Sequence, residues 1–205
     1  MDSDLTGTNK ANARRAALAH RQAVFGTEAA ALGATHLLEA LEPHAGRTVA
    51  GYLPIGTEID PRPAMEHLSE TGPVGVPVIE AAGEPLKFAR WTPGCETIRG
   101  PYGIPIPANP IWLEPDVLIV PLVAFTRGGG RLGYGGGFYD RTLARLRGIR
   151  PILAIGFAFA AQEVDGLPLE STDQQLDLVV TEVGIVRPRT EIPLRLPANR
   201  SSDTA

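Results

Sequence analysis

VLIVPLVAFTRGGGRLGYGGGFYDR, residues 117–141, is the part of the 205-residue chain that decides the fold. Val117–Val120 is apolar at every position, as a strand buried on both faces of a parallel sheet must be. After it comes a run of glycines that opens onto a helical pattern over Phe138–Leu146, ended by Gly148. Such a turn lets backbone N–H groups converge without Cβ obstruction, and the helix N-terminus adds partial positive charge. With Arg131 as a mobile cation at the rim, the segment reads as a cradle for phosphate.

Working outward, strand and helix patterns alternate. Lys10–Phe25 reads as a helix capped by Thr8 or Asn9, with Gly26 just past its end. Glu28–Leu41 reads as a second helix capped by Thr27, and Pro61–Glu70 as a third that opens on prolines. Strands are expected at Val49–Leu53, Val74–Ile79, Leu86–Trp91, Ile152–Phe157 and Leu178–Thr181, the second and third joined as a hairpin through AAGEP. The alternation argues for an α/β three-layer sandwich around a largely parallel sheet. One domain is expected over residues 9–186. Residues 1–8 read as a disordered lead and residues 187–205 as a Pro/Arg-rich tail.

Composition narrows the function. Lys and Arg number 19 against 23 Asp and Glu, a net charge of −4, so no global cationic field recruits nucleic acid or anionic lipid. Cys95 is the only cysteine, which excludes an intrachain disulfide and a thiolate metal cluster. Pro121 interrupts the longest apolar run, which falls short of a membrane span. The acidic, polar N-terminus resembles no targeting peptide. A soluble, cytoplasmic protein is expected.

The chemistry is equally bounded. His20, His36, His44 and His67 show no zinc-ligand spacing, and no GxSxG occurs. Cys95 stands in a Pro-Gly turn without an identifiable base, so covalent catalysis has no support. Gly128, Gly130 and Gly133 fit GxGxxG, yet the acid expected about 20 residues on is absent, which rejects a dinucleotide site. No GxxxxGK[ST] occurs either. On the first helix Lys10, Arg14 and Arg21 fall at roughly 0°, 40° and 20°, while Arg15 falls near 140°. That stripe is either a solvated face or a polyphosphate clamp. Asp140, in the first turn after the glycines, either complements the helix dipole or binds Mg²⁺. Glu58 and Asp60 lie just past the C-terminal end of the strand Val49–Leu53, where ligands collect in open sheets, or else serve as cap and turn chemistry ahead of the proline-started helix, which suits Asp60 better. Leu53 offers an apolar wall, and Glu58 an acceptor for heterocycle N–H groups. Phosphate, Mg²⁺ and a pocket outline phosphoryl transfer by positioning and electrostatics.

These pieces carry a family likeness. KANARRAALAHR, YLPIGTEIDPRP, LKFARW, PYGIPIP, DVLIVPLVAF, GRLGYGGGFYDR and LDLVVTE, in that order, resemble the 5-formyltetrahydrofolate cyclo-ligase family across residues 10–185. The resemblance implies a fold like that of the sugar-phosphate isomerases and CoA-transferases. It implies ATP- and Mg²⁺-dependent closure of 5-formyltetrahydrofolate, with or without a polyglutamate tail, to 5,10-methenyltetrahydrofolate, releasing ADP and phosphate. By the same resemblance Lys10, Arg14 and the loop Arg131, Leu132, Gly133, Tyr134, Gly135, Gly136, Gly137, Phe138 and Tyr139 contact ATP. Leu53, Glu58 and Tyr134–Phe138 face the folate, and Asp140 and Asp177 hold Mg²⁺. Lys10, Arg131 and Asp140 carry the catalysis. Ile106 stands where the family often has an acid. A monomer acting on small molecules is expected, without nucleic-acid or membrane partners. Two other readings use the same scaffold. One is a non-catalytic nucleotide- or RNA-binding relative, and the other a sugar-phosphate isomerase using Glu58 with Asp60.

Overall fold

The computed structural model describes residues 2–26 and 29–188, with side chains from residue 9 onward in the first helix. Helix α1 (Asp2–Val24) precedes α2 (Ala29–Leu41), and β1 (Val49–Ala50) leads to α3 (Arg62–Ser69). Strands β2 (Val74–Val78) and β3 (Lys87–Arg90) form a hairpin. The short β4 (Thr97–Arg99) and β5 (Pro105–Pro107) pair only with each other, and β6 (Trp112–Leu113) edges onto β3. After β7 (Val117–Pro121), the pair β8 (Ala124–Phe125) and β9 (Arg131–Leu132) precedes α4 (Phe138–Arg147). Strands β10 (Leu153–Phe157), β11 (Leu178–Thr181) and β12 (Gly184–Val186) complete the chain's described part.

Eight strands form one sheet in the order β12-β11-β10-β7-β1-β2-β3-β6. The five central strands are parallel and the outer ones antiparallel, which makes the sheet largely parallel as the sequence implies. Strand β7 shows why the layers form. Val117 and Ile119 pack with Leu37, Leu41, Met65 and Leu68 of α2 and α3, while Leu118 and Val120 pack with Leu143 and Leu146 of α4. These four of the five β7 residues are completely buried, each contributing about 1.5–3 kcal/mol of apolar burial. Helices therefore cover both faces, giving three layers. A smaller cluster of Ala17, Val123, Ala124 and Leu132 seats α1 on the β8–β9 pair.

One expectation at the start of the chain changes: residues 2–8, read as part of a disordered lead, are helical backbone continuous with the first helix. Backbone helix runs from Asp2 rather than from the Thr8–Asn9 cap, because DSDLTGT contains no proline to stop it. Thr27 and residues 189–205, hence most of the expected tail, lie outside the described residues. Among the described residues no helix is long and apolar enough to cross a membrane.

Candidate active site

The sheet places its crevice by topology. From β1 the chain moves outward to β2, and from β7 it moves the other way, to β10 and β11. The neighbours β1 and β7 thus form the switch point, past whose C-terminal ends an open sheet leaves room for ligands. A cavity of about 1010 Å³ lies there. Tyr52, Leu53, Ile55 and Glu58 line it from the segment after β1, Pro77 and Ile79 from the end of β2, and Pro121 from the end of β7. Residues 131–141 form a further wall, and Lys10 and Arg14 reach in from α1.

The glycine cluster divides into two parts with different work. Gly129, with φ +84°, turns the β8–β9 hairpin, where Thr126 donates its N–H to the Gly130 carbonyl at 2.9 Å. The cradle itself is GYGGG, residues 133–137, which leads into α4. Gly135 and Gly137 have φ of +100° and +64°, in the left-handed region that favours glycine. Gly137 is the residue that opens the helix. A Cβ on Gly137 would lie 2.6 Å from Nη1 of Arg141, whose Nη2 donates to the Gly136 carbonyl at 2.8 Å.

The basic stripe folds as its spacing implies, but its members take different partners. Lys10 Nζ lies 3.1 Å from Asp173 Oδ2 and 3.3 Å from Glu170 Oε1. Arg14 Nε donates to the Gly133 carbonyl at 2.8 Å, bracing the cradle. Arg21 is buried and does not line the cavity; it bonds Thr57 and Tyr134. Arg15 points to the surface and bonds Asn12.

Arg131 is not the mobile rim cation expected from the sequence. Its side chain is 4% exposed, and its guanidinium donates to Asp140 Oδ1 at 2.7 Å and to the Gln174 carbonyl. Gln174 N–H donates to the same Asp140 oxygen at 2.9 Å. Burial lowers the guanidinium pKa, opposed by Asp140 and Asp173, but the group stays charged. Arg131 therefore ties the loop, α4 and the segment around Gln174 into one wall of the cavity.

The acceptor side is built around Glu58, which is buried. Its Oε2 accepts the Ile55 N–H at 2.8 Å and its Oε1 the Tyr134 hydroxyl at 2.9 Å. Burial raises its pKa, while those two bonds and the Arg21 charge hold it down. Burial, followed by Glu58, pushes the Tyr134 phenol up to about 12. The Tyr139 hydroxyl is buried at the cavity wall with no hydrogen-bond partner among the described residues.

Leu53, Glu58, Lys10, Arg14, Asp140 and residues 131–139 all line one cavity. Asp177 does not. It precedes β11, accepts the Ala154 N–H at 2.7 Å and pairs with Arg147 at 2.8 Å. Those partners stand at the start of β10 and the end of α4, the sheet's N-terminal edge. Asp140 and Arg147 are seven residues apart on α4, roughly 10 Å at 1.5 Å per residue. The carboxylates that do reach the cavity from this segment are Glu170 and Asp173. Asp173 Oδ2 accepts the Glu170 N–H at 2.8 Å within ESTDQQ and is bonded as well by Lys10, 163 residues away. The sequence reading also misses Tyr102, with φ +57°, which stands edge-on to Phe138 at 6.1 Å between the centroids. Ile106, beside it in the β4–β5 hairpin, adds apolar wall.

Fold and site together define a class: a three-layer α/β protein with a glycine-rich loop lining a cavity at the switch point of its sheet. The chain matches the model of the 5-formyltetrahydrofolate cyclo-ligase family over residues 8–182, and it belongs to that family of enzymes. The 5-formyltetrahydrofolate cyclo-ligase of Escherichia coli K12 is 36% identical over 176 residues, covering 82% of this chain and 93% of that one. The enzyme of that name from Mycolicibacterium smegmatis is 35% identical, covering 66% and 74%. The solved structure of Aquifex aeolicus 5,10-methenyltetrahydrofolate synthetase superposes with a TM-score of 0.75 at 28% identity, covering 94% of this chain and 99% of that one. The Mycoplasma pneumoniae synthetase superposes at 0.66 with 26% identity, covering 85% and 99%.

Proposed function

We propose that this cavity closes 5-formyltetrahydrofolate to 5,10-methenyltetrahydrofolate at the expense of ATP, releasing ADP and phosphate. One observation carries the reading. In a chain of this family, a cationic side (Lys10, Arg14, Arg131) and a buried acceptor side (Glu58 with Leu53) share one cavity large enough for two ligands.

The triphosphate would lie along the glycine cradle, with Gly133–Gly137 offering N–H groups and Lys10 and Arg14 neutralising charge. The folate would lie against Leu53, with its ring N–H groups on Glu58 and Tyr134–Phe138 alongside. The formyl oxygen then attacks the γ-phosphate and ADP departs. N10 attacks the activated formyl carbon, and N10 loses its proton as phosphate leaves. The protein supplies alignment and charge, so no side chain need act as nucleophile. Asp140, partly exposed in the first turn of α4, and Asp173 have the oxygen chemistry Mg²⁺ prefers. The described residues hold no preformed cluster of three acids, which fits an ion that keeps waters and phosphate oxygens as ligands. Bound there, Mg²⁺ would offset phosphate charge. The same reading takes the protein as a cytoplasmic monomer acting on small molecules.

Calorimetry tests the shared cavity. 5-Formyltetrahydrofolate titrated into protein saturated with a non-hydrolysable ATP analogue should bind with Kd within a few-fold of its value without the analogue. Mutual exclusion of the two ligands would refute the arrangement.

A further inference from the structure

Arg21 is buried and does not itself line the cavity. Its Nε donates to Thr57 Oγ1 at 2.9 Å and its Nη1 to the Tyr134 hydroxyl at 2.8 Å, with the guanidinium 5.6 Å above the Tyr134 ring. Thr57 adjoins Glu58, and Tyr134 sits within the glycine cradle. One buried cation on α1 thus holds both lips of the site.

A phenol has one proton to donate. Because Arg21 donates to the Tyr134 oxygen, that proton is directed to Glu58 Oε1. Glu58 Oε2 is already bonded to the Ile55 N–H. The carboxylate is fixed in one rotamer, and its remaining lone pairs are left for a ligand. Without Arg21, Tyr134 can turn its half-exposed ring away, and Glu58 loses both an orienting bond and the nearby positive charge.

We infer that Arg21 is a positioning residue for the folate half of the site, acting through Tyr134 and Thr57 on Glu58. This rests on the reading of Glu58 as the folate-side acceptor. Nothing in the chain Arg21–Tyr134–Glu58 touches Lys10, Arg131 or Asp140 by hydrogen bond, so the nucleotide half should be spared.

The experiment is a double-mutant cycle with R21K and Y134F, reading KM for 5-formyltetrahydrofolate and for ATP. Each single variant should raise the folate KM about tenfold, the size of one charge-assisted hydrogen bond, and move the ATP KM less than about threefold. The double variant should be no more than about twofold worse than either single one, because both cut the same chain. R21Q serves as the stricter variant. Should it or R21K fold poorly by thermal melting, Y134F, which removes one hydroxyl from a half-exposed ring, carries the test alone. An unchanged folate KM in Y134F or R21K, equal rises in both KM values, or multiplying effects in the double variant would each overturn the inference. If E58Q leaves folate binding untouched in the same assay, the reading of Glu58 fails instead, and the inference falls with it.

Discussion

Replacing Arg131 by Met keeps most of the side chain's volume and removes its charge and donors. Two interactions go: the 2.7 Å bond to Asp140 and the bond to the Gln174 carbonyl. Asp140 is 28% exposed and regains water, so its loss should cost only about 1 kcal/mol. The Gln174 carbonyl, left without its donor, should cost about 1–3 kcal/mol. The sum, about 2–4 kcal/mol, corresponds to a fall of about 4–16 °C in Tm for a chain of this size. The loop wall should also loosen where the nucleotide would lie. The ATP KM should rise tenfold or more, and that for 5-formyltetrahydrofolate by less than about threefold. R131K should fall between, since one ammonium cannot reproduce the two-pronged fork. Differential scanning fluorimetry and initial rates at varied ATP decide the matter. An R131M protein that melts like the parent, or whose two KM values rise together, would refute both the wall and the division of the site.

Other expectations follow the same reasoning. Gly129→Ala places a methyl group 2.7 Å from the Leu176 carbonyl at φ +84°; it should cost more than about 1–2 kcal/mol, read as a lower Tm, and a neutral result contradicts the hairpin turn. Asp140→Asn should raise the Mg²⁺ requirement for turnover, whereas Asp177→Asn should lower Tm and leave that requirement alone; a Mg²⁺ titration of both variants separates the two positions. Because burial raises the Glu58 pKa, the acid limb of kcat/KM for the folate should lie above an ordinary glutamate's and vanish in Glu58→Gln. The folded state holds that proton more tightly than the unfolded state, so Glu58 should lower stability as pH rises from its unfolded value through its raised folded one. Melting curves of Glu58→Gln across that window should show the slope removed.

Much of this was legible in the chain because it depends on local pattern. VLIV, followed by a glycine run, reads as a strand buried on both faces, and helical spacing alone puts Lys10, Arg14 and Arg21 on one side and Arg15 on another. The stripe's three destinations were not legible, since a guanidinium's partner is set by whatever packs opposite it. The fate of Asp177 shows the limit most clearly. A motif can name an acid at the start of a strand, but the direction of that strand in the sheet decides which edge the acid occupies. Asp173 and Tyr102 lie on segments without periodicity, brought to the cavity by contacts with distant elements. The burial of Arg131 is not legible in the sequence, because its partners, Asp140 and the Gln174 carbonyl, come from α4 and from a segment 43 residues on.

The most direct measurement is near-UV absorbance of 5-formyltetrahydrofolate mixed with the protein, Mg²⁺ and ATP, against the same mixture without ATP. The methenyl chromophore should grow only when ATP is present, with one ADP formed per methenyl group. A flat trace with ATP, or growth that does not need it, would contradict the proposed reaction.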